Sequence, residues 1–575
     1  MPITVCVGLT LVLVLLCTQA LPGYGGVAAR VAAQQFGQTP FNPAVAAAGI
    51  SWFLRSGGRH GRNTTVQSGA YSFFFLADCA KHSLPSCFAL NADSPYGLTS
   101  LPKAPGEKEY RGCVTKTGRC GDGCNPNNDP HLTKSVCPDG LPMQWRLGKD
   151  EAVLLIGRSP PEAKYWSITP YVMSQWYGPG THPRTKEAKF ASWIQKLAVS
   201  CRPNSGSKPD GDRCQKFASL NQPFNFNAGG FGQPFAAVLT ASQKTYASVR
   251  AAINAYLERE KLPTSYLPLH LLSIPSDIVN LGTDNDERDM LTMLMRIAYP
   301  RNTTVMKMYY DETPVQVLRV TPEDSNASFG YFTRKNSTFL PRTTGKSEAG
   351  LATGVTHEQL LSDLDALGEA IEAEQKKLRQ IQHSDSYSFM KPFFKTGLDC
   401  IDDGTECNGD CADTLYPISG NIYKARQCRM VPIVKDHCHQ ATIDSSTYDH
   451  FVVYGVNHAA TGLAEYASIT AYYYNTLSGL VSKSSENGYP GSADRFLPGG
   501  STHRSSAYLF AYFFARNCTQ ATGSKSFCFE VPSVGDVKLP IGADMFWIER
   551  MYVSPVTGTG PAANETIMAR VKHFY

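Results

Sequence analysis

A histidine and a glutamate in one polar turn are the first candidates for chemistry. The stretch "VNHAATGLAE", residues 456–465, places His458 and Glu465 just after an apolar run. A histidine acts as a general base when a carboxylate orients its ring and stabilises the imidazolium ion. The pair therefore predicts an acid–base site in this turn. The alternative is a histidine that only caps the turn.

A second candidate is Cys438, which stands between His437 and His439 in "DHCHQ". A thiolate beside imidazole rings is a nucleophile or a metal ligand. Adjacent residues of a strand point to opposite faces, however, so neighbours in sequence need not meet in space. The alternative is that Cys438 forms an irregular disulfide.

Two hydroxyl-rich rows are candidates for ligand binding. Each follows the pattern Tyr-x-Ser-Ile-Thr-x-Tyr, which strand alternation places on one face. Such a face suits a polar ligand, for example a sugar, held in a cleft. Tyr and Thr are also favoured on any half-exposed strand, and a solvated face is the alternative. The rows are Tyr165, Ser167, Thr169 and Tyr171, then Tyr466, Ser468, Thr470 and Tyr472.

No motif indicates a cofactor or a metal. The chain lacks a nucleophile elbow, an H-E-x-x-H pair and a phosphate-binding loop. The cysteine spacing C-x6-C-x3-C differs from that of zinc ribbons, and the acids within 402–410 lack EF-hand spacing. We therefore expect neither a cofactor nor a metal.

The same cysteine spacing occurs twice, in residues 113–124 and 400–411. Further elements recur after it in the same order: a cysteine, an apolar strand ending in glycine, the hydroxyl-rich row, a Thr-His pair and a short cysteine loop. A long repeat of this kind indicates an internal duplication. The sequence therefore predicts two homologous lobes.

The cysteines of these copies predict disulfides. Cys79 with Cys87, Cys201 with Cys214, and Cys518 with Cys528 are expected as local bridges, whereas pairing within each group of four stays open. Cys438 is left over. The full set is Cys79, Cys87, Cys113, Cys120, Cys124, Cys137, Cys201, Cys214, Cys400, Cys407, Cys411, Cys428, Cys518 and Cys528.

A long helix is expected between the lobes at 356–382. Thr356 and Gln359 form a capping box, and an apolar stripe follows at helical spacing. The stripe is Leu360, Leu364, Leu367, Ile371, Leu378 and Ile381. Because it covers fewer than four heptads, a helix that bridges the lobes is preferred over a free coiled coil.

The expected fold is α+β, or mixed α/β, in which each disulfide-stabilised lobe has a β-hairpin and packed helices. Strands are expected at 71–76, 152–158, 164–173, 235–240, 315–320, 450–455, 465–474 and 545–553. Helices are expected near 187–200, 245–260, 286–298, 356–382, 504–516 and 563–572. The expected organisation is a signal peptide (1–20), an N-terminal extension (21–112), a first repeat lobe (113–345), a linker with the connecting helix (346–383) and a second repeat lobe (384–575).

The compartment follows from the apolar run 3–17, which is short for a membrane span and precedes a small-residue cleavage site. We expect secretion, disulfides and no further membrane segment.

The formal net charge of +5 with interspersed signs argues against nucleic-acid binding. The oligomeric state stays open. Six glycosylation triplets stand at Asn63, Asn302, Asn326, Asn336, Asn517 and Asn564.

Three functions remain. The first is an extracellular glycoprotein that binds a polar small molecule or glycan in a cleft between the lobes. The second is a secreted hydrolase with one site in the second lobe, around His458 and Glu465. The third is a structural wall or matrix protein. The first requires exposed, converging hydroxyl rows, and the second requires the two side chains to lie within hydrogen-bond reach.

Overall fold

The computed structural model describes part of the chain, and every structural statement below concerns that part. The described residues are 41–56, 64–75, 95–107, 113–114, 120–121, 141–177, 212–220, 230–284, 288–323, 330–336, 343–348, 354–379, 384–390, 397–402, 414–419, 443, 449–473, 478–535, 538–554 and 559–575. Residues 41–336 are called the first half, and residues 343–575 the second half.

The described α-helices are α1 (Pro43–Arg55), α2 (Gln243–Arg259), α3 (Thr303–Glu312), α4 (His357–Arg379), α5 (Gly397–Asp402) and α6 (Cys518–Thr522). Short 3₁₀ helices lie at Thr264–Tyr266, Arg334–Asn336, Asp494–Phe496, Gly500–Thr502 and Ser506–Tyr508.

The strands of the first half are β1 (Thr64–Ser68), β2 (Ala70–Phe74), β3 (Tyr96–Ser100), β4 (Cys113–Val114), β5 (Cys120–Gly121), β6 (Ala152–Arg158), β7 (Ala163–Tyr177), β8 (Asp212–Ser219), β9 (Pro234–Thr240), β10 (Leu269–Ser273), β11 (Met290–Pro300) and β12 (Val315–Pro322). Those of the second half are β13 (Ser384–Met390), β14 (Thr414–Leu415), β15 (Ile418–Ser419), β16 (His450–Val456), β17 (Tyr466–Tyr473), β18 (Ser478–Ser484), β19 (Leu509–Ala515), β20 (Cys528–Glu530), β21 (Met545–Tyr552) and β22 (Arg570–Phe574).

Two five-stranded sheets form most of the first half, in the orders β1-β12-β6-β9-β10 and β2-β3-β11-β7-β8. The second half has a 10-stranded sheet with the order β18-β17-β21-β15-β13-β22-β16-β19-β20, and β14 pairs with β21. The edge strands of this sheet are β18 and β20. The described part of the chain contains no helix that is long and apolar enough to cross a membrane.

The strand order of the first half recurs in the second. The order β1-β12-β6-β9-β10 reappears as β13-β22-β16-β19-β20, and β2-β3-β11-β7-β8 reappears as β13-β15-β21-β17-β18. The parallel pair β9–β10 corresponds to the parallel pair β19–β20, and the other corresponding pairs are antiparallel in both halves. Helices α1 and α4 also correspond, because each directly precedes the first strand of its half.

The expected α+β fold, with packed helices in two lobes joined by a long helix, is wrong. The protein is mostly β, with 37% strand against 25% helix. Helix α4 does not bridge the halves but packs on the second half, where Leu360, Leu364, Leu367 and Ile371 are fully buried against β16, β19 and β22. The domain boundaries themselves stay a prediction.

Three expected helices are strands instead. The expected helix at 286–298 is β11, the one at 504–516 contains β19, and the one at 563–572 overlaps β22. Strand β19 is buried along its whole length, and β11 is buried from Met290 to Ala298. A strand covered on both faces has no polar alternation, so its apolar run resembles a buried helix. The expected helix at 187–200 lies outside the described residues.

Helix α4 begins as its sequence requires. The Thr356 N–H donates to the Gln359 side chain at 2.9 Å, and the Gln359 N–H donates to the Thr356 hydroxyl at 3.2 Å. These reciprocal bonds satisfy donors that a helix start leaves open. Helix α1 begins with Asn42, whose side chain accepts from the N–H groups of Ala44 and Val45.

The halves contact each other through α5 and β8. Leu398, Cys400 and Ile401 of α5 belong to the same apolar core as strands of the first half. Gly397 lies so close to β8 that a Cβ atom there would stand 2.0 Å from the Ser219 carbonyl oxygen. Only glycine fits this approach without a shift of the backbone.

Candidate functional site

The two hydroxyl-rich rows are buried. All eight of their residues are fully shielded from solvent. The rows do converge, because the rings of Tyr165 and Tyr466 lie 4.7 and 5.7 Å from that of Tyr552. They therefore contribute to the contact between the halves, and none of the eight described side chains is exposed to a ligand.

A buried arginine of the first half belongs to the same contact. Arg296 lies opposite Ser167 across strands β11 and β7. Its guanidinium stands 5.4 Å from the ring centre of Tyr96 and donates to the Tyr416 hydroxyl of the second half at 3.1 Å. A cation over an aromatic face is stabilised even where water is excluded. Arg296 thus links the two halves.

The second half has the equivalent arginine. Arg550 lies opposite Ser468 across β21 and β17, as Arg296 lies opposite its serine. The Arg550 guanidinium is 5.4 Å from the ring centres of both Tyr416 and Tyr472. Burial alone would lower the pKa of Arg550, but the surrounding tyrosines have the larger effect in the opposite direction. The net pKa is therefore raised above the ordinary value, and the guanidinium stays charged. The two halves therefore meet through matching arginine and tyrosine side chains.

His458 lies in a charged cluster that the sequence did not reveal. Its Nδ1 atom is 2.6 Å from Oε1 of Glu348, and its Nε2 atom is 3.2 Å from Oε1 of Glu549. All three side chains are fully buried. Glu465 is exposed, and no hydrogen bond joins it to His458 within the described part of the chain. The expected pair is therefore not formed, and two distant glutamates take the place of Glu465.

The electrostatics of this cluster favour an imidazolium ion. Burial opposes the charge, but Glu348 and Glu549 raise the pKa of His458 to about 10. Burial also raises the pKa of Glu549, despite the nearby His458. Glu348 additionally accepts from the Thr461 hydroxyl at 3.3 Å and from the Ile567 N–H at 2.9 Å. The cluster can hold protons, but it is closed to a substrate.

Among its described residues, the first half has no equivalent of this cluster. Strand equivalence pairs Gly157 with Gly455, which places Pro160 at the position of His458. Arg296 and Arg550 are also equivalent, so the residues that precede them, Met295 and Glu549, occupy the same position in the two halves. Where both halves are described, the charged cluster is thus found in the second half alone.

An open polar groove lies on the same half, between α4 and the sheet. Its volume is about 440 Å³. We call it the polar groove, and its lining residues are Asp365, Gly368, Glu369, Ser386, Ser388, Tyr454, Arg570 and Lys572. The helix supplies the acids, whereas the bases and hydroxyls come from neighbouring strands β13, β16 and β22. The absence of a Cβ at Gly368 lets the Tyr454 hydroxyl approach the helix.

Ion pairs hold the bases of the polar groove in place. Arg570 pairs with Asp365. Lys572 pairs with Glu372 at 2.6 Å and donates to the Ser386 hydroxyl at 3.1 Å. Hydrogen bonds from two lysines, Lys376 and then Lys572, lower the pKa of Glu372 to about 2. These contacts fix charged and hydroxyl groups along the lining of the polar groove, where a ligand rich in hydrogen-bonding groups can meet them. Lys572 itself is only 6% exposed.

Sequence reasoning missed the polar groove. The signal was present in two strands whose polar residues alternate, "SDSYS" at 384–388 and "RVKH" at 570–573. The second of these was read as a helix, so the shared face was not apparent. Within the described residues, no group of three or more His, Cys, Asp or Glu side chains is arranged to hold a metal.

The structure places several of the predicted cysteines and asparagines. Cys518 and Cys528 form a disulfide with Cα atoms 5.7 Å apart, and Cys400 is also disulfide-bonded. Cys113, Cys120 and Cys214 lie in β4, β5 and β8. Asn302, Asn517 and Asn564 are exposed, and Asn336 lies in a 3₁₀ helix. The remaining predicted positions lie outside the described residues: Cys79, Cys87, Cys124, Cys137, Cys201, Cys407, Cys411, Cys428, Cys438, Asn63 and Asn326.

Comparison with known proteins does not assign this chain to a family. No protein-family model matches the chain, and no curated protein matches it. The VPA0106 protein from Vibrio parahaemolyticus is 11% identical, with a TM-score of 0.30 over 75% of this chain and 88% of that one. An uncharacterised protein from Burkholderia cenocepacia is 9% identical, with a TM-score of 0.31 over 95% of this chain and 94% of that one. Similarity at this level supports no conclusion about fold or function.

Proposed function

We propose that the protein is an extracellular, disulfide-containing glycoprotein that binds a polar small molecule or a glycan. The ligand site is the polar groove of the second half, rather than a cleft lined by the hydroxyl-rich rows. One observation carries this proposal: an open groove of about 440 Å³ collects two bases, two acids and two serine hydroxyls. Its size falls within the usual range of small-ligand pockets, roughly 300–1,000 Å³.

The contrast between the halves supports a specific role for the polar groove. Strand register places Arg570 at the position of Gln316 in the first half, and Lys572 at that of Leu318. If these positions served packing alone, an apolar residue would suffice at both. Charged residues in one copy only are the pattern expected where one half of a repeated architecture has acquired a binding site.

The experiment measures binding by the full-length secreted protein. A panel of neutral, acidic and amino sugars is titrated against the protein by calorimetry, and any ligand found is retested with Lys572→Leu and Arg570→Gln. These changes copy the residues of the first half. Loss of one charge-assisted hydrogen bond costs about 1.5–3 kcal/mol, so each variant should weaken binding by roughly 10- to 100-fold.

Arg301→Gln is the matched control, because Arg301 is an exposed arginine that pairs with exposed Glu162. This variant should bind as the wild type does. Absence of binding across the panel would contradict the proposal and favour a structural role in a wall or matrix. Binding that survives both groove substitutions would place the ligand elsewhere.

A further inference from the structure

The acids at the polar groove are more exposed than its bases. The Asp365 side chain is 56% exposed, whereas the Arg570 side chain with which it pairs is 22% exposed. The same order holds for the second ion pair, in which Glu372 is the more exposed partner and Lys572 is almost fully shielded. A ligand that enters from solvent therefore meets carboxylates before it meets the two bases.

Glu369 is a carboxylate of the polar groove that no described base neutralises. It lies on α4 one turn after Asp365 and is exposed. Within the described part of the chain, its carboxylate has neither an ion pair nor a hydrogen bond. Both lining bases are already paired, Arg570 with Asp365 and Lys572 with Glu372. The lining charge that is left for a ligand is thus negative.

One further base stands near this surface. Lys376 pairs with Glu372 at 2.6 Å and is not among the lining residues of the polar groove. Glu372 thus holds two lysines, Lys376 and Lys572, and directs both ammonium groups to itself. The charge of Glu369 remains available to a ligand.

The first half has an apolar core where the second half has the polar groove. Strand register places Ile156 at the position of Tyr454, and Leu318 at that of Lys572. Ile156 and Leu318 belong to one buried apolar core with Ile50 of α1. Helix α1 contains no acid, whereas α4, its equivalent, supplies the acids of the polar groove. Packing of this helix on its sheet does not require acids, which supports a binding role for those of α4.

We propose that the ligand of the polar groove carries an ammonium group beside hydroxyl groups, as a sugar with a free amine does. This inference rests on the proposed function and narrows its ligand class. The ammonium group donates to Glu369, and the hydroxyl oxygens accept from Arg570 and Lys572, which keep N–H donors beyond their ion pairs. The exposed Ser388 hydroxyl is a further partner. An acidic sugar would instead bring its carboxylate next to exposed acids, and like charges repel.

The size of the preference follows from the exposure of Glu369. An exposed ion pair contributes little, because water screens the two charges. A ligand that fills the polar groove covers this carboxylate and brings the contact closer to a charge-assisted hydrogen bond. We expect an ammonium group to be preferred over a hydroxyl at the same position by about 5- to 10-fold in affinity.

Four sugars that share one ring test the inference: glucosamine, N-acetylglucosamine, glucose and glucuronate. Each is titrated against the full-length secreted protein by calorimetry at about pH 6, where amines are protonated and carboxylates are ionised. Glucosamine should bind about 5- to 10-fold more tightly than glucose and N-acetylglucosamine. Glucuronate should bind most weakly of the four.

Glu369→Gln is the deciding variant, because it removes the charge and keeps the shape of an exposed side chain. In this variant the affinities for glucosamine and glucose should become equal. The matched control is Glu358→Gln, which changes an exposed acid of the same helix outside the polar groove. This control should keep the preference of the wild type for glucosamine.

Equal affinities of the wild type for glucosamine and glucose would overturn the inference, as would a preference that survives Glu369→Gln. Tighter binding of glucose or glucuronate, lost in Lys572→Leu, would also overturn it but would leave the proposed function standing. Failure of all four sugars to bind would contradict both.

Discussion

Substitution of Glu348 by glutamine should strongly destabilise the second half. The carboxylate is fully buried and accepts from the His458 ring at 2.6 Å and the Ile567 N–H at 2.9 Å. Glutamine has one acceptor oxygen, so one donor loses its partner and the imidazolium loses a counter-charge. Removal of one partner from a buried ion pair costs about 3–5 kcal/mol. We expect a loss of this size in the free energy of unfolding, measured by urea denaturation of the secreted protein.

The control is Glu162→Gln, which breaks an ion pair whose partners, Glu162 and Arg301, are 55% and 75% exposed. Exposed pairs contribute about 0–1 kcal/mol. The double variant Glu348→Gln/His458→Gln should cost less than the sum of the single changes, because each removes the same contact. A loss below about 1 kcal/mol for Glu348→Gln, similar to that of the control, would refute the view that this buried cluster is an energetically coupled unit.

Three further predictions concern pH, a disulfide and a close contact. Because the pKa of His458 is raised to about 10, the stabilisation from its charge is complete below about pH 6.5 and disappears as the pH rises through about 10. The melting temperature of the protein should therefore fall between these pH values. The fall should be less steep in the variant His458→Gln. Replacement of Cys518 and Cys528 by alanine should cost about 2–3 kcal/mol in urea denaturation, since the bridge closes a loop with a sequence separation of 10; an unchanged stability would contradict this. Gly397→Ala would place a Cβ atom 2.0 Å from the Ser219 carbonyl oxygen and should cost about 1–3 kcal/mol; wild-type stability of this variant would show that the contact is looser than described.

The sequence predicted the elements that carry a clear local signal. Helix α4 was expected from its capping box, which the structure contains, and from an apolar stripe, of which Leu360, Leu364, Leu367 and Ile371 are buried. Leu378 of the predicted stripe is exposed, and Ile381 lies outside the described residues. Strands β6 and β16 were expected from short apolar runs that end at a glycine. Strand β11 was misread because its residues are buried from Met290 to Ala298. Periodicity separates helix from strand only where one face is polar.

Strand order was beyond the reach of sequence patterns. Strand β1 pairs with β12, so that Thr64 lies opposite Pro322. Secondary-structure propensity contains no information about such distant strand partners. The expectation of packed helices in each lobe arose because each element was predicted separately from its own local sequence. The cysteine spacing also drew attention to residues 113–124 and 400–411, most of which lie outside the described residues.

The partners of His458 could not be predicted from the sequence. His458 was expected to pair with Glu465, seven residues on, but Glu348 and Glu549 lie 110 and 91 residues away in the chain. One local signal existed: Glu549 and Arg550 stand within the apolar run "MFWIERMY". Charged residues are seldom buried unless they are paired, so acids and bases inside such a run mark internal contacts.

One difference between the repeated architectures affects how each half comes apart. In the first half, β1 and β2 belong to separate sheets and are divided at Gly69, whereas Ser384–Met390 is a single strand that pairs with β22 at its start and with β15 at its end. One sheet of the first half can therefore unfold locally while the other stays paired. Removal of the continuous strand β13 breaks its hydrogen bonds to both β22 and β15, so the second half should unfold under a mechanical load in a single cooperative step.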